Sequence, residues 1–281
     1  MHPGTAEAEV APADGRVGRL RLLAGLALLG LVLCGAVRLL GAAAFDRTFV
    51  TVLNQFARRS ELFDFVVHAI DQLALFQGVA IFTLVCATFV TAERRDRLML
   101  VLGCTAAAVA VALSRVFQHI LPENPRPRFD PHFIFTTPFG AAHDASADWS
   151  SFPSDHAGLL FGVACSLFLV NRTLGLLGFL IAGVAGLARI YLGLHYPTDV
   201  LGGAFLGIAS ALAAALATER VEHWLPMDRI VRHKQLLAAA GFFLAVQTAC
   251  LFDDIRFIGA GLRDHLRGSS HATAESPVQR R

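Results

Sequence analysis

Sixteen consecutive residues from Leu22 to Val37, LLAGLALLGLVLCGAV, carry no charged side chain. Such a run has nothing to offer water, so it must lie in lipid or be covered by other helices. Comparable runs recur at about Leu73 to Thr91, Leu98 to Phe117, His156 to Val170, Leu174 to Leu187 and Val200 to Ala217, and a further one covers Leu236 to Phe252. The pattern predicts an all-α, polytopic helical membrane bundle of six or seven spans.

Charge is scarce and clustered. Asp, Glu, Lys and Arg make up 16% of the chain, against about 25% in a soluble domain, and they gather between the apolar runs. A net charge of +2 argues against a nucleic-acid partner, and the basic clusters read instead as topology signals. Arg16, Arg19 and Arg21 place the N-terminus in the cytoplasm. Alternation then puts Arg94, Arg95 and Arg97, then Arg172, then Arg229, Arg232 and Lys234 on that same side. The tail arginines Arg263, Arg267, Arg280 and Arg281 fall on the other side, which makes the seventh span the weakest of the set. The five cysteines (Cys34, Cys86, Cys104, Cys165, Cys250) all lie within apolar runs and read as small hydrophobes, not as a disulfide framework.

The chain divides into a disordered N-terminus over residues 1–15, N-terminal spans with an interfacial helix over 16–97, and a core over 98–217. A basic loop with a last span over 218–252 and a tail over 253–281 follow. GAAAF near Ala44 has the small residues of a signal-peptidase site, but the preceding run is long and Arg38 interrupts its end, so an uncleaved first span is expected. Phe45 to Asp64 mixes apolar residues at spacings of three and four with charges, and reads as one amphipathic helix in the interface.

Three polar stretches emerge on the non-cytoplasmic side of this layout: NPRPRF (Asn124 to Phe129), SSFPSDHAG (Ser150 to Gly158) and ARIYLGLHYPTD (Ala188 to Asp199). They offer fixed cations, two histidines and a carboxylate. Arginine grips phosphate through planar, bidentate hydrogen bonds. A histidine beside an aspartate suits an oriented nucleophile or base, and a second histidine at a helix start suits a general acid. Pro197 fits the first helical turn, with Asp199 in that turn and His195 just outside it. Pro153 and Ser154 precede another helix, whose first N–H groups form an anion site with His156 beside it.

These stretches contain three ordered motifs. Arg126 and Pro127 follow His119 after six residues. Pro153, Ser154 and His156 form the second, with Asp155 between. Arg189, His195 and Asp199 form the third. In them the chain resembles the type 2 phosphatidic acid phosphatase (PAP2) family, which shares its core with vanadium-dependent haloperoxidases. Against that family's pattern, His119 replaces a lysine, Asp155 a glycine and Ala188 a serine. The resemblance implies a PAP2-like helical core and an integral inner (plasma) membrane enzyme acting on a lipid phosphate or diphosphate. The candidates are phosphatidic acid, phosphatidylglycerol phosphate and polyprenyl diphosphates. It also implies roles. His195 attacks phosphorus, Asp199 holds its tautomer, and His156 serves as acid and then base. Arg126, Arg189, Ser154, Asp155 through its backbone, and His119 bind phosphate, with Arg115 or Arg128 compensating for the missing lysine. It implies no metal and no cofactor. The oligomeric state is not encoded in these features.

Two other classes fit part of the pattern: a haloperoxidase-like enzyme holding vanadate, and a non-catalytic phosphate-binding membrane protein or transporter. His132, His143, Asp144 and Asp148 match no metal-ligand spacing and read as a solvated loop. His68 and Asp71 read as a polar contact within the bundle, and the GAFLG segment from Gly203 to Gly207 as tight helix packing.

Overall fold

The computed structural model describes residues 13–40, 44–71, 78–139 and 150–221. The expected seventh span and tail, residues 1–12, the basic loop beyond residue 221 and the part of the long loop with His143, Asp144 and Asp148 lie outside the described residues. His132 lies within them, its N–H donating to Asp130, and residues 13–15, expected to be disordered, open the first helix. Every regular element among the described residues is helical. α1 covers Ala13–Leu39, α2 Ala44–Asn54, α3 Glu61–Asp71, α4 Val79–Thr91, α5 Arg94–Ile120, α6 Asp155–Val170, α7 Arg172–Tyr191 and α8 Pro197–Val221.

Four of these, α1, α5, α7 and α8, are long and apolar enough to cross a membrane. Their outward faces explain why they need lipid: Leu22, Leu26, Leu29 and Leu33 on α1 and Leu176 and Leu180 on α7 are all exposed. α4 and α6 are shorter apolar helices. At 16 residues, α6 is about 24 Å long at 1.5 Å per residue, less than a hydrocarbon core of about 30 Å. It is nevertheless the most enclosed helix, packed by α5, α7 and α8, while α1 covers the far side of α8. Along α6 nearly every side chain from Asp155 to Leu167 is buried, so its sequence shows no polar stripe.

Small residues let the central helices meet backbone to backbone. A Cβ added at Gly203 or Gly207 of α8 would run into the carbonyls of Ser154 or Gly158 of α6. GAFLG is therefore packing inside the bundle.

The expected single amphipathic helix from Phe45 to Asp64 is instead two helices, α2 and α3. Arg58 between them takes a positive φ of 62°, which ends regular helix. Asp64 then secures the turn by accepting the Arg58 N–H at 3.0 Å and the Phe139 N–H at 2.9 Å.

The two ends of the bundle differ in charge. Arg95 pairs with Glu219 at 3.0 Å, joining the start of α5 to the end of α8, and Arg16 lines a cleft beside them. The motif residues gather at the opposite end, where α6 and α8 begin and α1, α5 and α7 finish.

Candidate active site

α7 ends by a turn that its sequence encodes. Gly193 takes φ +70°, a conformation costly for any residue with a Cβ, and the Leu194 N–H donates back to the Arg189 carbonyl at 3.0 Å. The reversal delivers His195 between Arg189, in the last turn of α7, and Pro197, the first residue of α8. Asp199 Oδ2 accepts the Tyr196 N–H at 2.8 Å, so the carboxylate closes the helix start as a third-position capping residue does. The Asp199 carbonyl accepts the Ser154 N–H at 2.9 Å, Gly193 O accepts from Arg128 N at 3.2 Å and Asn124 O accepts from Ser151 N at 2.9 Å. All three polar stretches are thereby stitched together by backbone bonds.

Arg126, Ser154, Asp155, His156, Arg189, His195 and Asp199 are all buried. His119 is not among them: it is exposed in the last turn of α5. The buried residue there is its neighbour Gln118, whose amide donates to the Pro153 carbonyl at 2.8 Å.

His195 is fully enclosed. Its Nδ1 lies 3.0 Å from the Ser151 carbonyl. A carbonyl only accepts, so the proton is on Nδ1. Nε2 is buried and has no hydrogen-bond partner within the protein. Burial, then the guanidiniums of Arg189 and Arg126, hold the ring well below the ordinary histidine range. His195 is thus a neutral imidazole with its lone pair on Nε2. The expected partner, Asp199, is 3.9 Å from Nδ1, too far for a hydrogen bond. The Ser151 carbonyl sets the tautomer, and Asp199 contributes negative charge behind the ring.

His156 has a different partner. Its Nδ1 is 2.8 Å from Asp155 Oδ1. A carboxylate also only accepts, so this ring directs Nε2 away from the pair. Asp155 in turn is held by the Arg115 guanidinium. The helix-start N–H groups expected to receive an anion are partly occupied: His156 N donates to Asp155 Oδ1 at 2.8 Å and Ala157 N to Ser154 Oγ at 3.4 Å. Asp155 thus joins a cation of α5 to the His156 ring.

Arg189 reaches back to α3, where its Nη1 donates to Asp71 Oδ1 at 2.9 Å; its Nε is buried with no hydrogen-bond partner. Sequence reasoning assigned Asp71 no chemistry and missed Arg38 and Asp46. Arg38, buried at the end of α1, places Nε 3.2 Å from Asp199 Oδ1 and Nη1 3.3 Å from Asp46 Oδ2. The signal available for it was an arginine closing an apolar run, a residue type that is expensive within a membrane.

Residues 121–222 match the family model described as PAP2 superfamily. A protein of Bacillus licheniformis named bacitracin transport permease protein BcrC is 34% identical over 124 residues, covering 44% of this chain and 58% of that protein. An Escherichia coli K12 protein named putative undecaprenyl-diphosphatase YbjG is 33% identical over 121 residues, covering 43% of this chain and 57% of that one. The matched region is therefore less than two thirds of either relative. A solved structure, described as a transmembrane PAP2 type phosphatidylglycerolphosphate phosphatase from Bacillus subtilis, aligns with TM-score 0.50 at 22% identity, over 71% of this chain and 96% of that one. What it shares at that identity is the fold. The chain is a helical membrane protein, and within it residues 121–222 are similar to the PAP2 superfamily.

Proposed function

We propose that this protein is a membrane phosphatase that hydrolyses a lipid diphosphate, of the polyprenyl diphosphate class, through a phosphohistidine on His195. The observation that carries the reading is His195 Nε2: buried, unpartnered, on a neutral ring, with two arginines close enough to lower its proton affinity. The printed name of the Escherichia coli relative supports the choice of a diphosphate.

In the first step the Nε2 lone pair forms a bond to phosphorus and the bond from phosphorus to the leaving oxygen breaks. Arg126 and Arg189 balance the charge that develops on the equatorial oxygens. Asp199, 3.9 Å behind the ring, offsets the positive charge that the ring gains, and the Nδ1 proton stays on its bond to Ser151. His156 Nε2 protonates the leaving oxygen while Asp155 steadies the imidazolium. In the second step His156 takes a proton from water, the hydroxide attacks phosphorus, and the bond between nitrogen and phosphorus breaks. Inorganic phosphate leaves and both histidines return to their starting states.

On this reading the site faces the non-cytoplasmic side of the plasma membrane, which is supported by the basic clusters that the positive-inside rule assigns to the opposite end. A cysteine in place of Ile134, a residue 97% exposed near the site, reacts with an impermeant thiol reagent in intact cells, whereas one in place of Glu93 reacts only after lysis. The reverse pattern refutes the orientation. For the activity, purified protein in EDTA releases phosphate from a polyprenyl diphosphate faster than from phosphatidic acid or phosphatidylglycerol phosphate. Turnover of the monoesters alone refutes the diphosphate assignment, and dependence on added magnesium refutes the mechanism.

A further inference from the structure

The residue that most constrains the catalytic pair comes from outside residues 121–222. Arg38 ends α1, yet its guanidinium lies at the back of the site, and each of its nitrogens addresses a different partner. Nε is 3.2 Å from Asp199 Oδ1. Nη1 is 3.3 Å from Asp46 Oδ2. Nη2 is 3.4 Å from Ser151 Oγ. Its carbon stacks 4.4 Å over the ring of Tyr196, the residue following His195.

Asp199 and Ser151 are the two groups behind the His195 ring: the first supplies charge and the second accepts the Nδ1 proton. One cation therefore touches both. Asp46 completes the arrangement from α2, accepting the Thr198 N–H at 3.0 Å and the Thr198 hydroxyl, and so fixing the first turn of α8. Arg38, Asp46 and Asp199 are all buried.

We propose that Arg38 is a positioning residue for the reaction: from the first helix it holds Asp199 ionised and holds Ser151 in place, so that His195 keeps its proton on Nδ1 and its lone pair on Nε2. This inference rests on the phosphatase reading. A planar fork suits this place, since it donates hydrogen bonds to Asp46 Oδ2 and Ser151 Oγ while its charge faces Asp199, which the point charge of a lysine cannot do together. Removing the cation leaves the buried Asp46 and Asp199 carboxylates without the charge they share.

The test uses the full-length protein with Arg38→Met and Arg38→Lys. Two readouts are needed: turnover, and the tautomer of His195 from nitrogen NMR of histidine-labelled protein, assigned with His195→Gln. In wild type His195 is a single tautomer protonated on Nδ1. In Arg38→Met it becomes a mixture, kcat falls about a hundredfold with KM within about threefold, and the acid limb of the pH profile moves to higher pH as Asp199 becomes easier to protonate. These changes distinguish positioning from a structural tie of α1, which lowers the amount of folded enzyme and leaves tautomer and pH profile as in wild type. Should Arg38→Met fail to accumulate, Arg38→Lys decides: a loss of about tenfold or more in kcat supports the inference, and full activity overturns it. An unchanged tautomer, or turnover within about threefold of wild type in Arg38→Met, also overturns it. If wild type itself releases no phosphate, the phosphatase reading fails, and the tautomer spectra alone still decide the role of Arg38.

Discussion

Gly203→Ala offers a test of how closely packing and chemistry are joined in this bundle. The added Cβ falls 3.0 Å from the Ser154 carbonyl carbon and 3.0 Å from the Ala157 Cβ, and closer still to the Ser154 carbonyl oxygen. That oxygen accepts the Gly158 N–H at 3.0 Å, so it cannot swing aside without opening the first turn of α6. Restoring ordinary contact at 3.4 Å with that oxygen, the nearest atom, requires the two helix starts to separate by about 1 Å. Overpacking of this kind costs about 1–3 kcal/mol. The helix that must move carries Ser154, Asp155 and His156, while α8 carries Asp199 and follows His195. The displacement thus opens the distance between acid and nucleophile. A misplacement of about 1 Å costs on the order of a hundredfold in rate, so a loss of roughly tenfold to a hundredfold in kcat is expected, with melting lowered by several degrees. Gly183→Ala is the control, because a Cβ there meets nothing within 4 Å and alanine gains up to about 1 kcal/mol in helix propensity. Phosphate release and thermal melting in detergent read both variants. If Gly203→Ala melts and turns over like Gly183→Ala, the backbone approach does not set the site geometry.

Other outcomes follow from the same geometry. His195→Ala abolishes turnover, and substantial residual phosphate release from it refutes covalent catalysis at that ring. Asp155→Asn keeps the fold but weakens support for the His156 imidazolium, so it lowers the rate at least tenfold on substrates with a basic leaving group and less on aryl phosphates; equal losses on both refute the orienting role. His156→Ala accumulates phosphoenzyme after a burst of leaving group from a diphosphate, because the second step lacks its base; a variant with no burst and no trapped phosphate contradicts the assignment. Because His195 is held below its unfolded value of about 6.5, the unfolded chain binds a proton that the fold refuses below that pH. The stability due to the neutral ring is present above about 6.5 and is lost as pH falls toward the folded value. Melting of wild type therefore drops between pH 7.5 and 5.5 more than melting of His195→Gln, and equal drops refute the burial account.

The local parts of this site were legible because their spacing is set by local structure. Arg189, His195 and Asp199 sit on a helix end, a turn and a helix start, and each of those is encoded within a few residues by Gly193 and Pro197. Ser154 and His156 are likewise fixed by a cap. The apolar runs announced the long helices without ambiguity, since only lipid or other helices can cover a face such as that of α1. The break between α2 and α3 was not legible, because the positive φ of Arg58 is held by Asp64, which also takes a bond from Phe139 far along the chain. His119 was a phosphate ligand by spacing alone; it lies exposed in the last turn of α5, and its neighbour Gln118 is the buried residue there.

What the spacing hid was the electrostatic frame behind the histidines. Three motif side chains are held by a partner from a helix that no local pattern connects to them: Asp155 by Arg115 of α5, Arg189 by Asp71 of α3, Asp199 by Arg38 of α1. A buried charge without a partner is far more costly than a buried pair, so a site that concentrates arginines must recruit carboxylates from whatever helices surround it. Arg38 and Asp71 lie outside the matched residues 121–222. The motif region supplies the clustered arginines and histidines, and the helices before it supply charged partners for them: Arg38, Asp71 and Arg115. Asp155 fits the same rule: its buried carboxylate beside His156 is met by the guanidinium of Arg115, one turn before His119 on α5.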